Sequence, residues 1–380
     1  MEYCFILGKN HALSISEIIH YLKNREINFK LLEFKKDYAI ISIENIAITH
    51  LINDLGGTIK IGKYISKDFQ FRDVFNKYEE KVRIGLSVYP NNRKFYEELK
   101  QNIKTQFKEY KVKYKIVSSG YTNTTSLKHF EVTKKLLKNN GKEIIVIRSE
   151  NSQKIFLTIS VHNPFEFKKR DVERPKQRPI FSIPPRLAKI LINLAAKPGD
   201  VLLDPFCGIG TILQEALIMG IKPIGIDKDN KCVQWSKENI EWIRKIYSIT
   251  SNADIFEGDA TKLSEYFENE SIDCIVTEPY LGPPLKFKPT KKEAEEIIKN
   301  LEKMYAEFLC QSYNILKRNA KVSIVFPNFL TKDGFEVKVD IEKLCQLSGF
   351  SRANLLENKK TIIDADKDQI TRREIVLLKK

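Results

Sequence analysis

The chain has 380 residues, 42% hydrophobic and 30% charged, and its 64 Lys and Arg against 49 Asp and Glu give a formal net charge of +15. That length allows two or three domains with ordinary apolar cores, while no stretch approaches the roughly twenty apolar residues of a membrane-spanning helix and no basic region precedes an apolar leader. Six cysteines (Cys4, Cys207, Cys232, Cys274, Cys310, Cys345) are scattered without a C-x-x-C pair or a histidine at metal spacing, so a soluble, cytoplasmic, reduced and metal-free protein is expected.

The basicity is uneven. Residues 1–180 hold 34 Lys and Arg against 20 Asp and Glu, whereas residues 181–380 hold 30 against 29. A basic surface collects phosphate backbones through counterion release, which points to nucleic acid rather than to a small-molecule substrate alone. Solvated lysine faces are the bland alternative, and the neutrality of the other half of the same chain argues against it.

In chain order, residues 1–58 alternate short apolar strands with an amphipathic helix at 15–22 and close at Gly56 and Gly57, the pattern of a small α+β, ferredoxin-like unit. Residues 59–162 follow with a strand at 83–88, a basic helix at 95–110, a polar loop at 122–126, a helix at 130–137 and strands at 143–148 and 155–161. Their densest basic part includes Lys111, Lys113, Lys115 and Lys128, interleaved with Tyr110, Tyr114 and Tyr121. Residues 163–180 read as a proline-punctuated basic linker whose Lys168, Lys169, Arg170 and Arg174 should sit on the surface, within reach of RNA.

From residue 181 the pattern changes. Pro184 and Pro185 lead into a helix with Leu187, Ile190, Leu191 and Leu194 on one face, and strands at 201–203, 223–226, 255–257, 272–276 and 321–326 are separated by helical segments. Strands alternating with helices predict an α/β, Rossmann-like, doubly wound parallel sheet over 181–380.

Within it, V-L-L-D-P-F-C-G-I-G-T at 201–211 reads as a buried strand, a tight glycine loop and a helix start. Glycines there admit a ligand against the backbone, and a second strand ends about twenty residues on in Asp227, where such folds grip ribose hydroxyls. The loop is neither G-x-G-x-x-G nor a phosphate loop, and Asp204 at its entrance suits a cation. S-adenosylmethionine fits better than NAD or ATP.

D-P-F-C-G-I-G-T at 204–211 resembles motif I, D-P-F-C-G-T-G, of Rossmann-like methyltransferases that modify exocyclic amines of nucleic-acid bases. The opening residues Tyr3, Cys4, Phe5 and Glu17, the G-G-T-I-K-I-G run at 56–62, Arg174-Pro175 and I-P-P-R-L-A at 183–188 extend the likeness across nearly the whole chain. The chain is similar to the THUMP-domain tRNA guanine N2-methyltransferases of archaea and eukaryotes that act on the guanine at position ten.

The resemblance implies that 59–162 is the THUMP domain holding the acceptor stem, that tRNA is the partner, and that some members need a small activator subunit. It assigns cofactor contacts to Asp204, Phe206, Gly208, Gly210, Thr211, Asp227, Asp259 and Ala260, with Asp227 on ribose and Asp259 on the adenine amine. In the family a D-P-P-Y motif ends the fourth strand; here I-D-C-I-V-T-E-P-Y-L-G at 272–282 puts Glu278, Pro279 and Tyr280 there. Accepting hydrogen bonds from a guanine amine localises its lone pair, so Glu278 and the Pro279 carbonyl are expected to accept and Tyr280 to stack on the base. A methyltransferase of ribosomal RNA or DNA, or a catalytically silent RNA-binding protein with the same fold, are the alternatives.

Overall fold

The computed structural model describes the chain outside residues 45–47, 76–80, 122, 150–151, 179–181 and 368. Thr122 of the polar loop and the last two residues of the basic segment 163–180 therefore lie outside the described residues. Two compact units emerge, one of Met1–His11 with Ile27–Glu166 and one of Ala12–Glu26 with Phe167–Lys380.

The elements of the N-terminal part are β1 (Glu2–Leu7), α1 (His11–Asn24), β2 (Phe29–Phe34), β3 (Tyr38–Ile43), α2 (Ile48–Asp54), β4 (Thr58–Ser66), α3 (Phe71–Val74), β5 (Lys81–Tyr89), α4 (Arg93–Glu109), β6 (Lys113–Val117), α5 (His129–Glu131), β7 (Lys142–Arg148) and β8 (Gln153–Val161). Its strands form one eight-stranded sheet, β2-β3-β1-β4-β8-β7-β5-β6. β4 pairs antiparallel with β1 on one side and with β8 on the other, so the sheet runs unbroken across residue 58 and the expected units 1–58 and 59–162 share it.

α4 forms because Tyr96, Leu99, Ile103 and Phe107 recur on one face and Asn92 caps it, its side chain accepting from Phe95 N. That face packs on Val82, Ile84, Leu86 and Val88 of β5. On the opposite side of β5, Lys60 Nζ donates to Glu143 Oε1 at 2.5 Å and to the Leu127 carbonyl at 2.6 Å, while Ser87 and Thr158 hydroxyls donate to the same carboxylate. Both partners of this buried ion pair have further hydrogen bonds beside their own, which offsets the cost of burying them. The helix expected at 130–137 is irregular: α5 passes into a five-residue π turn and a 3-10 turn, ending at Asn140 with φ +53°.

α6 (Pro164–Val172) and α7 (Pro185–Ala195) precede a sheet built from β9 (Val201–Asp204), α8 (Thr211–Ile218), β10 (Lys222–Asp227), α9 (Asn230–Tyr247), β11 (Asp254–Glu257), β12 (Ile272–Thr277), α10 (Lys291–Ile315), β13 (Leu316–Leu330), β14 (Glu336–Lys338), α11 (Ile341–Ser348), β15 (Ser351–Ala353), β16 (Thr361–Asp364) and β17 (Thr371–Lys379). The order is β11-β10-β9-β12-β13-β17-β15, with β14 beside β13 and β16 beside β17. β9 to β13 are parallel and β17 runs antiparallel to β13, which is the doubly wound sheet expected. One face carries a core with Leu301, Tyr305, Phe308 and Leu309 of α10, and the other a core with Leu187, Leu191 and Leu194 of α7.

Two features depart from expectation. α1 packs in this second unit: Leu13 joins the α7 core, Ser16 Oγ donates to the Leu355 carbonyl, and Asn193 Nδ2 donates to Glu17. The stretch 163–180 is also more than a surface linker. Arg170 is buried, donating through Nε and Nη2 to Glu215 of α8 at 2.5 and 3.1 Å, and Arg174 is buried with Nη1 on the Thr211 hydroxyl at 2.6 Å. These two arginines are therefore corrected from RNA contacts to internal struts, because a carboxylate and a hydroxyl inside the unit take up their donors. Lys168 is exposed and Lys169 half-buried.

Candidate active site

The order in which successive strands join the sheet reverses between β9 and β12, and ligands of open α/β sheets bind at such a switch point, beyond the carboxyl ends of the strands. Asp204, Asp227 and Glu278 stand at the ends of β9, β10 and β12, on that one edge.

Gly208 has φ +50° and a Cβ built on it would meet nothing within 4 Å, whereas Gly210, at φ +84°, would put a Cβ 2.3 Å from Ser236 Oγ. Gly208 thus leaves open space in front of the loop and Gly210 is required by packing. The loop is fixed to the next strand because Gly208 N donates to Asp227 Oδ2 at 2.9 Å, and Asp229 N donates to Oδ1 of the same carboxylate at 3.0 Å. Each Asp227 oxygen keeps a free lone pair.

Asp204 is buried, its Oδ1 accepting from Thr277 Oγ1 at 2.7 Å and from Phe206 N at 3.2 Å. Burial pushes its carboxyl up to about 7; the Thr277 and Phe206 donors oppose this, and the charges of Asp227 and Glu278 add to it. Asp204 and Asp227 on one rim favour a cationic ligand, and the open face of Gly208 gives it room, so these residues fit the ammonium and sulfonium of S-adenosylmethionine.

Other expected cofactor residues are arranged less simply. Phe206 packs edge-on against Phe308. The Thr211 hydroxyl is turned to Arg174, which corrects it from a ligand contact to an anchor of the α8 start. Asp259 is exposed and caps the turn after it, Oδ1 accepting from Thr261 N and Oγ1 at 2.9 and 2.8 Å; Ala260 is buried behind it.

At the β12 end, Pro279 is buried and Tyr280 is 49% exposed. The Tyr280 carbonyl accepts from the hydroxyl of the fully buried Tyr305 at 2.7 Å, which ties the motif backbone to α10. Glu278 is met by Arg373 of β17 through two donors, Nε to Oε2 at 2.5 Å and Nη2 to Oε1 at 3.2 Å. Sequence reasoning missed Arg373, Thr277 and Tyr305. The one available signal was Arg373 and Glu374 standing beside the apolar run of β17, since charges in a central strand need partners.

A family profile described as DNA methylase matches residues 8–238, more than half of the chain, and one described as RMKL-like, methyltransferase domain matches residues 175–333. Over 117 residues the chain is 38% identical to a protein of Methanothermococcus thermolithotrophicus described as a probable tRNA (guanine(10)-N2)-dimethyltransferase, covering 70% of that protein and 30% of this chain. The chain belongs to the tRNA guanine-N2 methyltransferase family. It is also 35% identical over 161 residues to a tRNA (guanine(10)-N2)-dimethyltransferase of Methanothermobacter thermautotrophicus, 41% of this chain and 43% of that one. The chain spans about half the length of the first curated family relatives it matches.

In fold, this member of the family is similar to TrmN from Thermus thermophilus, with a TM-score of 0.51 at 13% identity over 100% of both chains. The family's cofactor is S-adenosylmethionine. Among the described residues no helix is long and apolar enough to cross a membrane.

Proposed function

We propose that this chain methylates the exocyclic N2 amine of a guanosine in tRNA, the nucleotide at position ten being the expected one. The observation that supports it most is the meeting, on one sheet edge, of an acidic cradle for a sulfonium cofactor with Glu278, Pro279 and Tyr280. S-adenosylmethionine supplies a methyl group on a sulfonium when bound. The chain's own residues do the rest. Asp227 accepts from the ribose hydroxyls, Asp259 from the adenine amine with the oxygen its cap leaves free, and Gly208 gives the methionine portion its space. Glu278 and the Pro279 carbonyl accept from the two amine N–H groups, which localises the nitrogen lone pair and aims it. Tyr280, half-exposed at the mouth, stacks on a base taken out of its helix.

RNA docking falls to the N-terminal unit, which we read as containing the THUMP domain. Lys111, Lys113 and Lys115 are exposed, and Lys113 and Lys115 lie opposite Lys81 and Arg83 in the β5–β6 register. Like charges set opposite one another destabilise a sheet, and a phosphate backbone relieves them. Lys128 Nζ sits over the Tyr121 ring, 3.5 Å from its centroid, a cation held at the surface by an aromatic face. Lys168 and Lys169 are secondary candidates. All six cysteines are free thiols, which fits a reducing cytoplasm where tRNA is processed.

The test is to incubate the protein with labelled S-adenosylmethionine and unmodified tRNA, digest, and identify the methylated nucleoside. N2-methylguanosine absent with Glu278→Ala supports the reading. Transfer to duplex DNA instead would favour the substrate named in the DNA methylase description. Cofactor binding without transfer to any RNA, with or without a small activator subunit, would favour a silent RNA-binding protein.

A further inference from the structure

Glu278 is one methylene longer than the aspartate that the family's motif would place there, and a longer side chain is freer to rotate. Arg373 removes that freedom. Its guanidinium holds both carboxylate oxygens in a two-pronged contact, 2.5 and 3.2 Å, with the side chains only 17% and 11% exposed. Arg373 is itself placed by the sheet, since it pairs with Pro327 of β13 and with Asp364 of β16.

We propose that Arg373 is the positioning residue for the acceptor carboxylate, and that Glu278 is a glutamate because it must reach Arg373. The inference rests on the reading that Glu278 accepts from the guanine amine. A carboxylate offers about four lone-pair sites, and the fork uses one on each oxygen. One site per oxygen is left for an amine, and the fixed plane of the guanidinium sets the direction in which those sites point. The pair is also charge-compensated, so the carboxylate acts here by accepting hydrogen bonds at a set angle.

A counterintuitive result follows: Glu278→Asp, which restores the family's shorter acid, impairs the enzyme. In full-length protein, kcat, KM for tRNA, cofactor affinity and melting temperature are measured for wild type, Glu278→Asp, Arg373→Ala, Arg373→Lys and the Glu278→Asp/Arg373→Ala double variant. Glu278→Asp and Arg373→Ala should each lower kcat roughly 10- to 100-fold, the scale of an ångström misplacement, with KM and cofactor affinity little changed. The double variant should be no worse than the worse single one, as for residues acting as a unit. Arg373→Lys, which keeps the charge without the fork, should fall between.

Wild-type kcat in Glu278→Asp overturns the proposal, as does a loss in Arg373→Ala that appears equally in cofactor affinity. Should Arg373→Ala not fold, Arg373→Lys decides alone, and wild-type kcat there overturns it. A wild-type protein that binds cofactor but methylates no RNA overturns the functional reading first and this inference with it.

A second inference rests on the segment between β12 and α10. It is fastened at both ends: Gly282 turns at φ +102° against Ile297 and Phe329, Lys332 N donates to the Pro289 carbonyl at 2.9 Å, and Thr290 caps α10 reciprocally with Glu293. Yet Phe287 at its centre is 79% exposed, between the exposed Lys286 and Lys288. With Lys332 they line a shallow groove of about 530 Å³. Of the acids in its wall, Glu293 is committed to the cap and Glu296 is the other.

A solvent-facing ring on a loop fastened at both ends and flanked by cations is an arrangement suited to single-stranded nucleic acid, because every base has a face to stack. We infer that Phe287 is a stacking platform for an unpaired nucleotide of the nucleic-acid substrate. By fluorescence anisotropy, Phe287→Ala should weaken binding of a labelled single-stranded RNA roughly 5- to 100-fold, Phe287→Trp should retain it, and duplex RNA should bind all three alike. Unchanged single-strand affinity in Phe287→Ala, or an equal loss on duplex, overturns the inference; a loss confined to binding a purified activator subunit assigns the face to protein instead.

Discussion

Glu215 is the single anion among three buried side chains: Arg170 and Glu215 are 4% and 1% exposed and joined at 2.5 Å, and Lys189, 2% exposed, approaches the same carboxylate at 3.5 Å. Glu215→Gln keeps the shape and removes the carboxylate charge that both Arg170 and Lys189 approach. Breaking one buried pair costs about 3–5 kcal/mol, and at about 2–4 °C per kcal/mol for a domain of this size the melting temperature should fall by roughly 6–20 °C. Circular dichroism or dye-based melts of the full chain read this directly. Replacing Arg170, Lys189 and Glu215 together by apolar residues of similar volume should restore most of the loss, since the pair's desolvation is then removed along with its attraction. A Glu215→Gln fall of less than about 2 °C would refute the reasoning, because it would mean the cations are hydrated in the folded state. The same melts test the correction at Arg170: Arg170→Ala should destabilise the fold and leave the salt dependence of RNA binding as it was.

Asp204 sets a pH dependence. Its folded-state value of about 7 lies above the roughly 3.9 of an exposed aspartate, so its contribution to stability is full below about pH 4 and is lost as pH rises to 7. Without cofactor, Asp204→Asn should therefore melt progressively above wild type between about pH 5 and 8, while cofactor affinity by calorimetry rises across that range in wild type and stays flat in the variant. Tyr305→Phe, which removes the hydrogen bond to the Tyr280 carbonyl, should lower kcat by roughly tenfold, the worth of about one such bond, with cofactor affinity unchanged in a binding assay. Lys113→Glu/Lys115→Glu should weaken tRNA binding and reduce the slope of log affinity against log salt by about 2 units, while melting stays level or rises slightly, since each glutamate then faces Lys81 or Arg83.

The β9 to α8 unit was legible because strand, turn and helix signals are local and lie within one stretch of eleven residues, 201–211. The carboxyl ends of the strands followed from alternation alone. What stayed hidden depended on partners far along the chain. Glu278 meets an arginine on the last strand, and nothing near either residue announces the other. Arg170 and Arg174 read as exposed because charge in a proline-rich stretch is usually solvated; Glu215 and Thr211, on a helix after the next strand, make them internal. β13 extends to Leu316–Leu330 because β12, β17 and β14 all pair with it, where its own apolar pattern marked only six residues, 321–326.

Helix α1 bears on how this protein can be made and cut. It is flanked by strands β1 and β2 of one unit while Leu13 sits in the core of the other. During synthesis it leaves the ribosome long before α7, the surface that covers it, has been translated, so the C-terminal unit cannot complete its core as a contiguous piece. A clone starting near residue 167 would carry every strand of the cofactor sheet and still expose the apolar seat of a missing helix. Inheritance follows the same constraint, because the two units can be exchanged between genes only if α1 travels with the half to which it is not joined in sequence.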